Sequence, residues 1–423
     1  MSRILVNNNG PLHGEVEISG AKNAVLPLLS ATLLTSEKCV IEGVPNLVDV
    51  NVMRNILTNY GAKITQDKPG ILSVSAKEIT SVEADPDMVQ EMRASVFTMG
   101  PILARKGKVI MPMPGGCTIG KRPIDLHLKG FRALGATIKE EADKVTVSAG
   151  PDGLIGDVIY LDFPSVGATE NILMAATLAK GTTIIENAAK EPEIIDLANL
   201  LNKMGAKIKY AGTDLIRVEG VEQLSGCTHA VIPDRIEAGT FMLAAAITRG
   251  RVLVKNALPG HVRPIIAKLK ECGVNIEVSG EGILVDATQG NLIATDIKTL
   301  PYPGFPTDIQ SPFMAFLTTV NGRSIVRETV FENRFMHVVE LNRMGAGIDT
   351  DNREAIIPGG KKLHGAKVRA TDLRAGAAMV LAGLAAEGTT EISEIYHIER
   401  GYENFVGKFK ALGADIMKIE EDY

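Results

Sequence analysis

The stretch Leu-Asn-Lys-Met-Gly-Ala-Lys-Ile at residues 201–208 decides the fold, because the same pattern recurs along the chain. Each copy has two apolar residues three positions apart, a glycine directly after the second, and an isoleucine three positions after the glycine. The six glycines are Gly61, Gly135, Gly205, Gly273, Gly345 and Gly413, and the isoleucines are Ile64, Ile138, Ile208, Ile276, Ile348 and Ile416. The pattern predicts a helix that ends at a left-handed glycine and leads into a strand.

A second marker precedes each copy after the first. An apolar, alanine-rich helix pattern ends at a glycine, and a β-branched run such as residues 182–185 follows it. These glycines are Gly107, Gly181, Gly250, Gly322 and Gly388. The repeating unit therefore contains strands, one buried helix and one surface helix, which predicts an α/β fold with three units in each of two domains. A long solenoid stack is the alternative architecture.

Composition narrows the classes of function. The chain has 423 residues, 45% of them hydrophobic and 22% charged, which is enough for two domains with their own cores. A net charge of -5 and scattered basic residues argue against nucleic-acid binding. The amino terminus lacks the apolar core of a signal peptide, and the small-apolar run at 375–386 is too short to span a bilayer. We therefore expect a cytoplasmic protein that does not bind membranes.

The four cysteines show no spacing typical of a disulfide framework or a zinc site. They are Cys39, Cys117, Cys227 and Cys272. We expect free thiols, three of them small core residues and the fourth, Cys117, in a different setting.

Basic residues stand at the starts of the buried helices, where the helix dipole alone would disfavour them. They are Lys22, Arg93, Arg235 and Arg374. If these helix starts converge, backbone N–H groups and cationic side chains would form an anion-binding well for phosphate or carboxylate groups. In the alternative interpretation, each cation pairs with a nearby carboxylate such as Asp234 or Asp372.

One long connection breaks the repeat. Residues 111–127 contain three glycines and three prolines around Cys117, with Lys121 and Arg122 just beyond the thiol. Basic neighbours favour the thiolate, and glycines allow the loop to move, so this composition is typical of a reactive site. Two alternatives are an exposed loop with an incidental cysteine and a thiol hydrolase, which would need a histidine base such as His127.

The loop sequence Gly-Gly-Cys-Thr-Ile-Gly-Lys-Arg-Pro-Ile-Asp-Leu-His at 115–127 closely resembles the signature of the UDP-N-acetylglucosamine enolpyruvyl transferase family. The likeness runs the whole length, and further matching stretches lie at 19–23, 165–169, 305–308, 331–335, 370–374 and 399–402. The resemblance implies a two-domain inside-out α/β barrel of six βαβαββ repeats, three per domain. Residues 22–233 would form the domain that carries the Cys117 loop, and residues 1–21 with 234–423 would form the other. The loop would close as a lid over the sugar nucleotide.

The resemblance also implies the reaction. Enolpyruvyl would pass from phosphoenolpyruvate to the 3-hydroxyl of UDP-N-acetylglucosamine, the first committed step of peptidoglycan synthesis, with no cofactor and no metal. Such an enzyme would support cell shape and division and would be alkylated by fosfomycin at Cys117. Protein partners cannot be read from the sequence.

The implied site residues follow from the matching motifs. Asp308 would act as base, Cys117 as the acid that protonates the donor's methylene carbon, and Asn23 would contact the sugar hydroxyl. Lys22, Arg122 and Arg400 would hold phosphoenolpyruvate. The other substrate-binding residues would be Arg93, Pro123, Ile124, Asp125, Leu126, Ser165, Val166, Gly167, Val330, Arg334, Asp372 and Arg374.

Several alternatives stand beside these roles. Thr307 to Gln310 also forms a capping box, which would explain Asp308 as part of a helix start. Arg400 could be an ordinary solvated residue. Phe163-Pro164 stands where some family members have Lys-Val, which puts one diphosphate contact in doubt. An inactive regulatory paralogue that binds the UDP-sugar and a shikimate-type enolpyruvyl transferase are the rival functions.

Overall fold

The computed structural model of the chain describes residues 2–112 and 124–420. These residues divide into two compact units. The central unit comprises residues 20–112 and 124–232, and the terminal unit comprises residues 2–19 and 233–420. The chain passes between the units at 19/20 and 232/233, two residues and one residue before the boundaries expected from the sequence.

The secondary structure alternates along both units. The strands are β1 Arg3–Asn7, β2 His13–Glu17, β3 Lys38–Glu42, β4 Lys63–Lys68, β5 Ile71–Ser75, β6 Lys108–Pro112, β7 Thr137–Glu140, β8 Lys144–Ser148, β9 Val158–Tyr160, β10 Thr182–Glu186, β11 Lys207–Lys209, β12 Leu215–Glu219, β13 Thr228–Ala230, β14 Arg251–Lys255, β15 Asn275–Ser279, β16 Gly282–Asp286, β17 Ile297–Lys298, β18 Ser324–Arg327, β19 Asp349–Asp351, β20 Glu354–Ile357, β21 Lys367–Arg369, β22 Thr389–Ser393 and β23 Asp415–Ile419. The α-helices are α1 Lys22–Ala31, α2 Val48–Asn59, α3 Pro86–Glu91, α4 Met99–Lys106, α5 Asp125–Ala133, α6 Val166–Ala176, α7 Pro192–Lys203, α8 Arg235–Ile247, α9 Arg263–Glu271, α10 Gln310–Thr318, α11 His337–Arg343, α12 Leu373–Ala385, α13 Tyr396–Glu399 and α14 Phe405–Ala411. Short 3-10 turns occupy Thr32–Leu34, Arg93–Thr98, Pro259–His261 and Thr307–Ile309.

The sheets repeat one topology. In the central unit the strand orders are β13-β3-β5-β4, β6-β8-β7 and β11-β12-β10-β9, and in the terminal unit they are β15-β16-β14-β2, β17-β18-β20-β19 and β21-β22-β1-β23. Each four-stranded sheet has one parallel pair at an edge and two antiparallel pairs. The three-stranded sheet keeps a remnant of the parallel edge as a single bridge between Glu83 and Ile110. The predicted α/β fold with three repeats per unit is confirmed.

Each repeat closes its surface helix in the same way. All six predicted glycines have positive φ, between 84° at Gly135 and 102° at Gly205. In each copy the residue after the glycine donates to a carbonyl five residues earlier, as Ala206 does to Leu201 at 2.9 Å. The glycine itself donates three residues back, as Gly205 does to Asn202 at 3.0 Å. These bonds satisfy carbonyls at the helix end, and the left-handed glycine turns the chain into the next strand.

The alanine-rich helices form the cores. Residues 236–247 of α8 are all buried, and α8, α10 and α12 pack against one another in the terminal unit. Each unit also closes on itself through strands distant in sequence, because β13 pairs with β3 and β1 lies between β22 and β23. This closure excludes the solenoid alternative. Within the described ranges 2–112 and 124–420, no helix has the length and apolar character needed to cross a bilayer.

Candidate active site

In the central unit, Lys22 begins helix α1 and forms a buried ion pair. Its Nζ atom lies 2.7 Å from Oδ2 of Asp49, which stands in the first turn of α2. The two side chains are 12% and 4% exposed. Asn23, the next residue of α1, is half-buried. Asp49 therefore compensates a cation that burial would otherwise make costly.

A second group of predicted residues gathers where α5 and α6 begin. Ser165 caps α6 by accepting a hydrogen bond from the Ala168 N–H at 3.3 Å. His127 lies 2.9 Å, Nδ1 to Nδ2, from the amide of Asn171. Burial and the positive charge of Arg93 lower the pKa of His127 to about 3, so its imidazole is neutral. A Cβ at Gly167 would lie 3.3 Å from the His127 ring, so a larger residue would crowd this corner.

These contacts place several predicted substrate ligands in one neighbourhood. Arg93 begins a 3-10 turn within electrostatic reach of His127, and Gly167 is in the first turn of α6. Ile124 is buried, Asp125 is exposed and Leu126 and Val166 are half-buried. Phe163, shortly before α6, is 43% exposed.

In the terminal unit, Asp308 lies between two buried guanidinium groups. Nη2 of Arg334 donates to its Oδ1 at 2.6 Å, and Nη2 of Arg374 lies 3.5 Å from its Oδ2. The Asp308 side chain is 26% exposed, whereas the Arg334 and Arg374 side chains are 4% and 3% exposed. The two buried arginines thus hold the Asp308 carboxylate in place, and part of the side chain remains exposed to solvent.

The arginines retain unused donors. Nε of Arg334 and both Nε and Nη1 of Arg374 are buried with no hydrogen-bond acceptor among the described residues. Although burial lowers the pKa of Arg374, the nearby Tyr402, Asp308 and Asp234 groups raise it overall, so the guanidinium is charged. Buried guanidinium donors of this kind are suited to a phosphate or carboxylate ligand.

The capping-box interpretation of Thr307 to Gln310 is wrong. Neither Pro306 nor Ile309, the residues that cap the two successive helical segments, makes a side-chain cap bond. Thr307 instead accepts from Nη1 of Arg334 at 2.8 Å and donates to Oε2 of Glu328 at 2.9 Å. The segment is held by long-range side-chain contacts, because Glu328 and Arg334 both bind the Thr307 hydroxyl that would otherwise cap the helix.

The acids expected to neutralise neighbouring cations also cap helices. Asp234 accepts from the backbone N–H groups of Ile236 and Glu237 at 2.7 and 3.0 Å, which caps α8. Asp372 accepts from the N–H groups of Arg374 and Ala375 at 2.8 and 3.0 Å, which caps α12. Lys22 and Arg374 each contact a carboxylate, Asp49 and Asp308, so the alternative of cations paired with nearby acids holds for these two, with acids that are distant in sequence.

Comparisons with known proteins show the family to which this chain belongs. Residues 6–409 match the family model described as EPSP synthase (3-phosphoshikimate 1-carboxyvinyltransferase). The chain belongs to the EPSP synthase family. A relative from Caldanaerobacter subterraneus subsp. tengcongensis, named UDP-N-acetylglucosamine 1-carboxyvinyltransferase 1, is 57% identical over 99% of both chains. One from Finegoldia magna, named UDP-N-acetylglucosamine 1-carboxyvinyltransferase, is 54% identical over 99% of both.

Solved structures of the EPSP synthase family share the fold. The enolpyruvyl transferase NikO from Streptomyces tendae has a TM-score of 0.88 at 25% identity and covers 99% of this chain and 98% of its own. The EPSP synthase from Acinetobacter baumannii has a TM-score of 0.78 at 19% identity, covering 99% of this chain and 100% of its own. The fold is thus retained within the family at low sequence identity.

The other residues named from the sequence are Val330 and Arg400, which the resemblance implies, and Arg235, a cation at a helix start. Val330 donates its N–H to Oε1 of Glu328 at 2.8 Å, and Arg400 ends helix α13 and is half-buried. Arg235 begins α8 with its guanidinium 5.8 Å from the Tyr302 ring centroid. Cys117, Arg122 and Pro123 lie outside the described residues.

Sequence reasoning missed one acid in each unit that contacts the predicted site residues of this EPSP synthase family member. Asp49 pairs with Lys22 from another helix, and Glu328 is 1% exposed while it binds Thr299, Thr307, Val330 and Phe331. Neither acid belongs to a sequence motif that is typical of a ligand-binding site. The sequence offers a signal only for Glu328, which directly follows strand β18, Ser324–Arg327. An acid that is buried at the end of a strand needs hydrogen-bond partners.

Proposed function

We propose that this chain transfers the enolpyruvyl group of phosphoenolpyruvate to the 3-hydroxyl of UDP-N-acetylglucosamine and releases phosphate. The observation that carries the proposal is the full-length identity of 53% to 57% to relatives that bear the name UDP-N-acetylglucosamine 1-carboxyvinyltransferase. The membership of the EPSP synthase family and the paired Asp308 and arginines support it. Family membership alone fits both acceptors, whereas these relatives favour the UDP-sugar.

Asp308 is the base in this proposal. A carboxylate with one open side can take the proton of the sugar hydroxyl as oxygen attacks the donor's central carbon. The contacts with Arg334 and Arg374 support that role because they fix the carboxylate orientation. The unused guanidinium donors would stabilise negative charge on the donor's carboxylate or phosphate.

Cys117 is the acid that protonates the methylene carbon of phosphoenolpyruvate. Loss of phosphate from the resulting tetrahedral intermediate, together with loss of one proton from the newly formed methyl group, then gives the enol ether. The methyl proton returns to the Cys117 thiolate, and the phosphate carries away the proton that Asp308 took from the hydroxyl, so both groups are restored. Lys22, Arg122 and Arg400 hold the donor, and Asn23 contacts the sugar hydroxyl and the reaction centre. Asp372 completes the site through its cap of α12, which positions Arg374.

The remaining ligands bind the sugar nucleotide. Arg93, Ser165, Val166 and Gly167 offer a cation and a helix start, which suit a diphosphate. Pro123, Ile124, Asp125 and Leu126 follow Arg122 along the same segment, and Val330 contacts the uracil end. Because Phe163 replaces a family lysine, the diphosphate relies on the helix start and Arg93.

The proposal includes a cellular setting. We infer that the protein acts in the cytoplasm in the first committed step of peptidoglycan synthesis, supporting cell shape and division, and that fosfomycin alkylates Cys117. It needs no metal or cofactor, because the site's cations already offset the substrate charge. Neither nucleic acid nor membrane enters the proposed reaction.

An acceptor assay tests the proposal. Phosphate release from phosphoenolpyruvate is measured with UDP-N-acetylglucosamine and, separately, with shikimate 3-phosphate, while calorimetry reports binding of each acceptor. Turnover with the UDP-sugar alone is expected. Turnover with shikimate 3-phosphate alone would assign the rival enolpyruvyl transfer, and UDP-sugar binding without turnover would assign the regulatory paralogue.

Fosfomycin mapping tests the thiol. The proposal expects Cys117 to be labelled first, and labelling of Cys39, Cys227 or Cys272 first would contradict it. Cys117→Asp keeps an acid at that position but removes the nucleophile, so retained activity with resistance to the epoxide is expected.

A further inference from the structure

Two cysteines that lie 188 residues apart in sequence are neighbours in the central unit. The paired strands β3 and β13 run parallel, with Thr228 in register with Val40. The residues directly before these two are Cys227 and Cys39. The backbone N–H of Val40 donates to the carbonyl of Cys227 at 2.8 Å, so the strand pairing extends to the cysteines.

The backbones approach closely at this position because of a glycine. A Cβ atom at Gly226 would lie 2.2 Å from the carbonyl oxygen of Lys38, so a side chain there would force the segments apart. The N–H of Gly226 also donates to Oε2 of Glu37 at 2.8 Å. Register partners in a sheet direct their side chains to the same face, and neighbouring strands lie about 4.8 Å apart, a separation that a disulfide can span.

The thiols already interact. Cys39 and Cys227 are both free, and a side-chain hydrogen bond joins them. That bond lowers the pKa of Cys39, while hydrogen bonding and burial raise the pKa of Cys227. The charged groups that act on the pair are Glu37, which disfavours thiolate at Cys39, and Lys203, which favours it at Cys227. When the pair loses one proton, the Cys39 sulfur therefore carries the negative charge, and the Cys227 thiol stabilises it by a hydrogen bond.

We propose that Cys39 and Cys227 form an oxidation site, a dithiol that a peroxide converts into an intramolecular disulfide. Cys227 is half-buried and can meet a small oxidant, whereas Cys39 is fully covered. In the singly ionised pair, proton transfer from Cys227 to the covered Cys39 thiolate places the charge on the accessible Cys227 sulfur. The Cys227 thiolate attacks hydrogen peroxide, an S–O bond forms, the O–O bond breaks, and the departing hydroxide takes a solvent proton, equal to the one that the pair had released, to give water. The Cys39 sulfur then attacks the Cys227 sulfur, the S–S bond replaces the S–O bond, and the second hydroxide leaves as water with the Cys39 proton.

The overall oxidation balances in atoms and electrons. Two thiols lose two electrons and two protons, and one peroxide molecule is reduced to two molecules of water. The disulfide would link Cys39, in the first strand of the central unit, to Cys227, directly before its last strand. That strand ends two residues before Ile232, the last residue of the unit. Cross-linking across so long a loop constrains the unfolded chain, so oxidation should stabilise the central unit.

The test is peptide mapping of the full-length protein. The chain is treated with hydrogen peroxide, remaining thiols are alkylated, and the digest is analysed without reductant. We expect a Cys39–Cys227 cross-linked peptide that dithiothreitol removes, and a rise in the urea midpoint that dithiothreitol reverses. Because the wild-type protein provides the cross-link directly, this readout does not depend on the folding of a variant.

Variants provide the matched controls. Cys227→Ser should abolish the cross-link and the midpoint shift, whereas Cys272→Ser, which removes another buried thiol in the terminal unit, should retain both. Three results would overturn the proposal: reduced Cys39 and Cys227 after other cysteines are oxidised, a sulfinic acid on Cys227 with Cys39 unlinked, or a disulfide that joins either residue to a different cysteine.

Discussion

Asp308 is the residue on which the chemical account depends most. Two guanidinium groups contact its two carboxylate oxygens, and the side chain keeps a solvent-exposed fraction of 26%. Because the contacts come from α12 and from residue 334, the carboxylate is oriented by groups distant in sequence. A base held in one orientation needs little reorganisation when it takes a proton.

We predict that Asp308→Asn lowers kcat at least about 100-fold, since an amide cannot accept the hydroxyl proton. Binding of UDP-N-acetylglucosamine, measured by calorimetry, should change much less. The matched control is Asp349→Asn, which alters an exposed acid on β19. Equal losses in both variants, or full activity in Asp308→Asn, would contradict the role of the base.

Glu328 should act by positioning its neighbours. Its buried carboxylate accepts hydrogen bonds from the N–H groups of Val330 and Phe331 at 2.8 and 3.1 Å and from the hydroxyls of Thr299 and Thr307, both at 2.9 Å. Glu328→Ala leaves these donors unsatisfied, and each such loss costs about 1–3 kcal/mol. We predict a lower urea midpoint and a KM for the UDP-sugar raised about tenfold, because 1.4 kcal/mol corresponds to that factor.

Glu328→Gln is the control for that prediction. The amide oxygen can still accept from Val330 and Phe331, so the KM should stay near the wild-type value. If both variants raised the KM equally, charge rather than positioning would be responsible.

The buried acid Glu237, in the first turn of α8, predicts that the stability of the protein depends on pH. Burial raises the pKa of Glu237 to about 7, although Lys408, 2.5 Å away, opposes the change. Asp234 adds to the rise, and the N–H of Ser19 favours the ionised form. Between the unfolded value of 4.5 and about 7 the folded chain binds more protons, so the free energy of unfolding falls as pH rises through this range.

We expect Glu237→Gln to remove this slope, which amounts to at most about 3 kcal/mol between the two limits. Urea midpoints at pH 4.5 and 7.5 would measure it, with Glu15→Gln on the exposed strand β2 as control. A slope that persists in Glu237→Gln but disappears in Glu15→Gln would refute the assignment to the buried acid.

The glycine that ends each surface helix is the feature that repeats at the level of elements. Gly61 and Gly205 have nearly the same φ, 101° and 102°, but different surroundings. A Cβ at Gly61 would lie 2.7 Å from the Glu78 carbonyl oxygen and from Oγ1 of Thr80, whereas a Cβ at Gly205 would meet nothing within 4 Å. The two positions therefore separate backbone strain from steric crowding.

We predict that Gly205→Ala lowers the free energy of unfolding by about 1–2 kcal/mol, the cost of a left-handed residue with a Cβ. Gly61→Ala should lose about 1–3 kcal/mol more, because crowding adds to the strain. Urea unfolding of both variants measures the difference. An equal loss at the two positions would mean that the crowding relaxes without cost.

These elements also show what the sequence can and cannot predict. The glycine caps depend on residues close in sequence, so the repeated pattern predicted where helices end. The Asp234 and Asp372 caps are equally local, but the sequence analysis interpreted these acids as partners of neighbouring cations. The pairing of Lys22 with Asp49, and of Cys39 with Cys227, depends on tertiary packing, and no local pattern carries it. The capping box failed for the same reason, since Arg334 and Glu328 bind the Thr307 hydroxyl from elsewhere in the fold.

At the scale of the whole molecule, each unit needs a strand from a remote part of the chain. β1 lies between β22 and β23 in the terminal unit, and β13 pairs with β3 in the central unit. Three similar repeats in each unit therefore close into a self-contained core. The repeats differ in the residues at their helix starts, so one architecture, used six times, presents different charged groups in each copy.

The most direct test of the account is the identity of the product. The wild-type protein is incubated with phosphoenolpyruvate and UDP-N-acetylglucosamine, and the sugar nucleotide is examined by proton NMR and mass spectrometry. We predict an enolpyruvyl ether on the 3-oxygen of the sugar, with one phosphate released for each ether formed. Phosphate release that leaves the sugar nucleotide unmodified, or ether formation on shikimate 3-phosphate alone, would contradict the account.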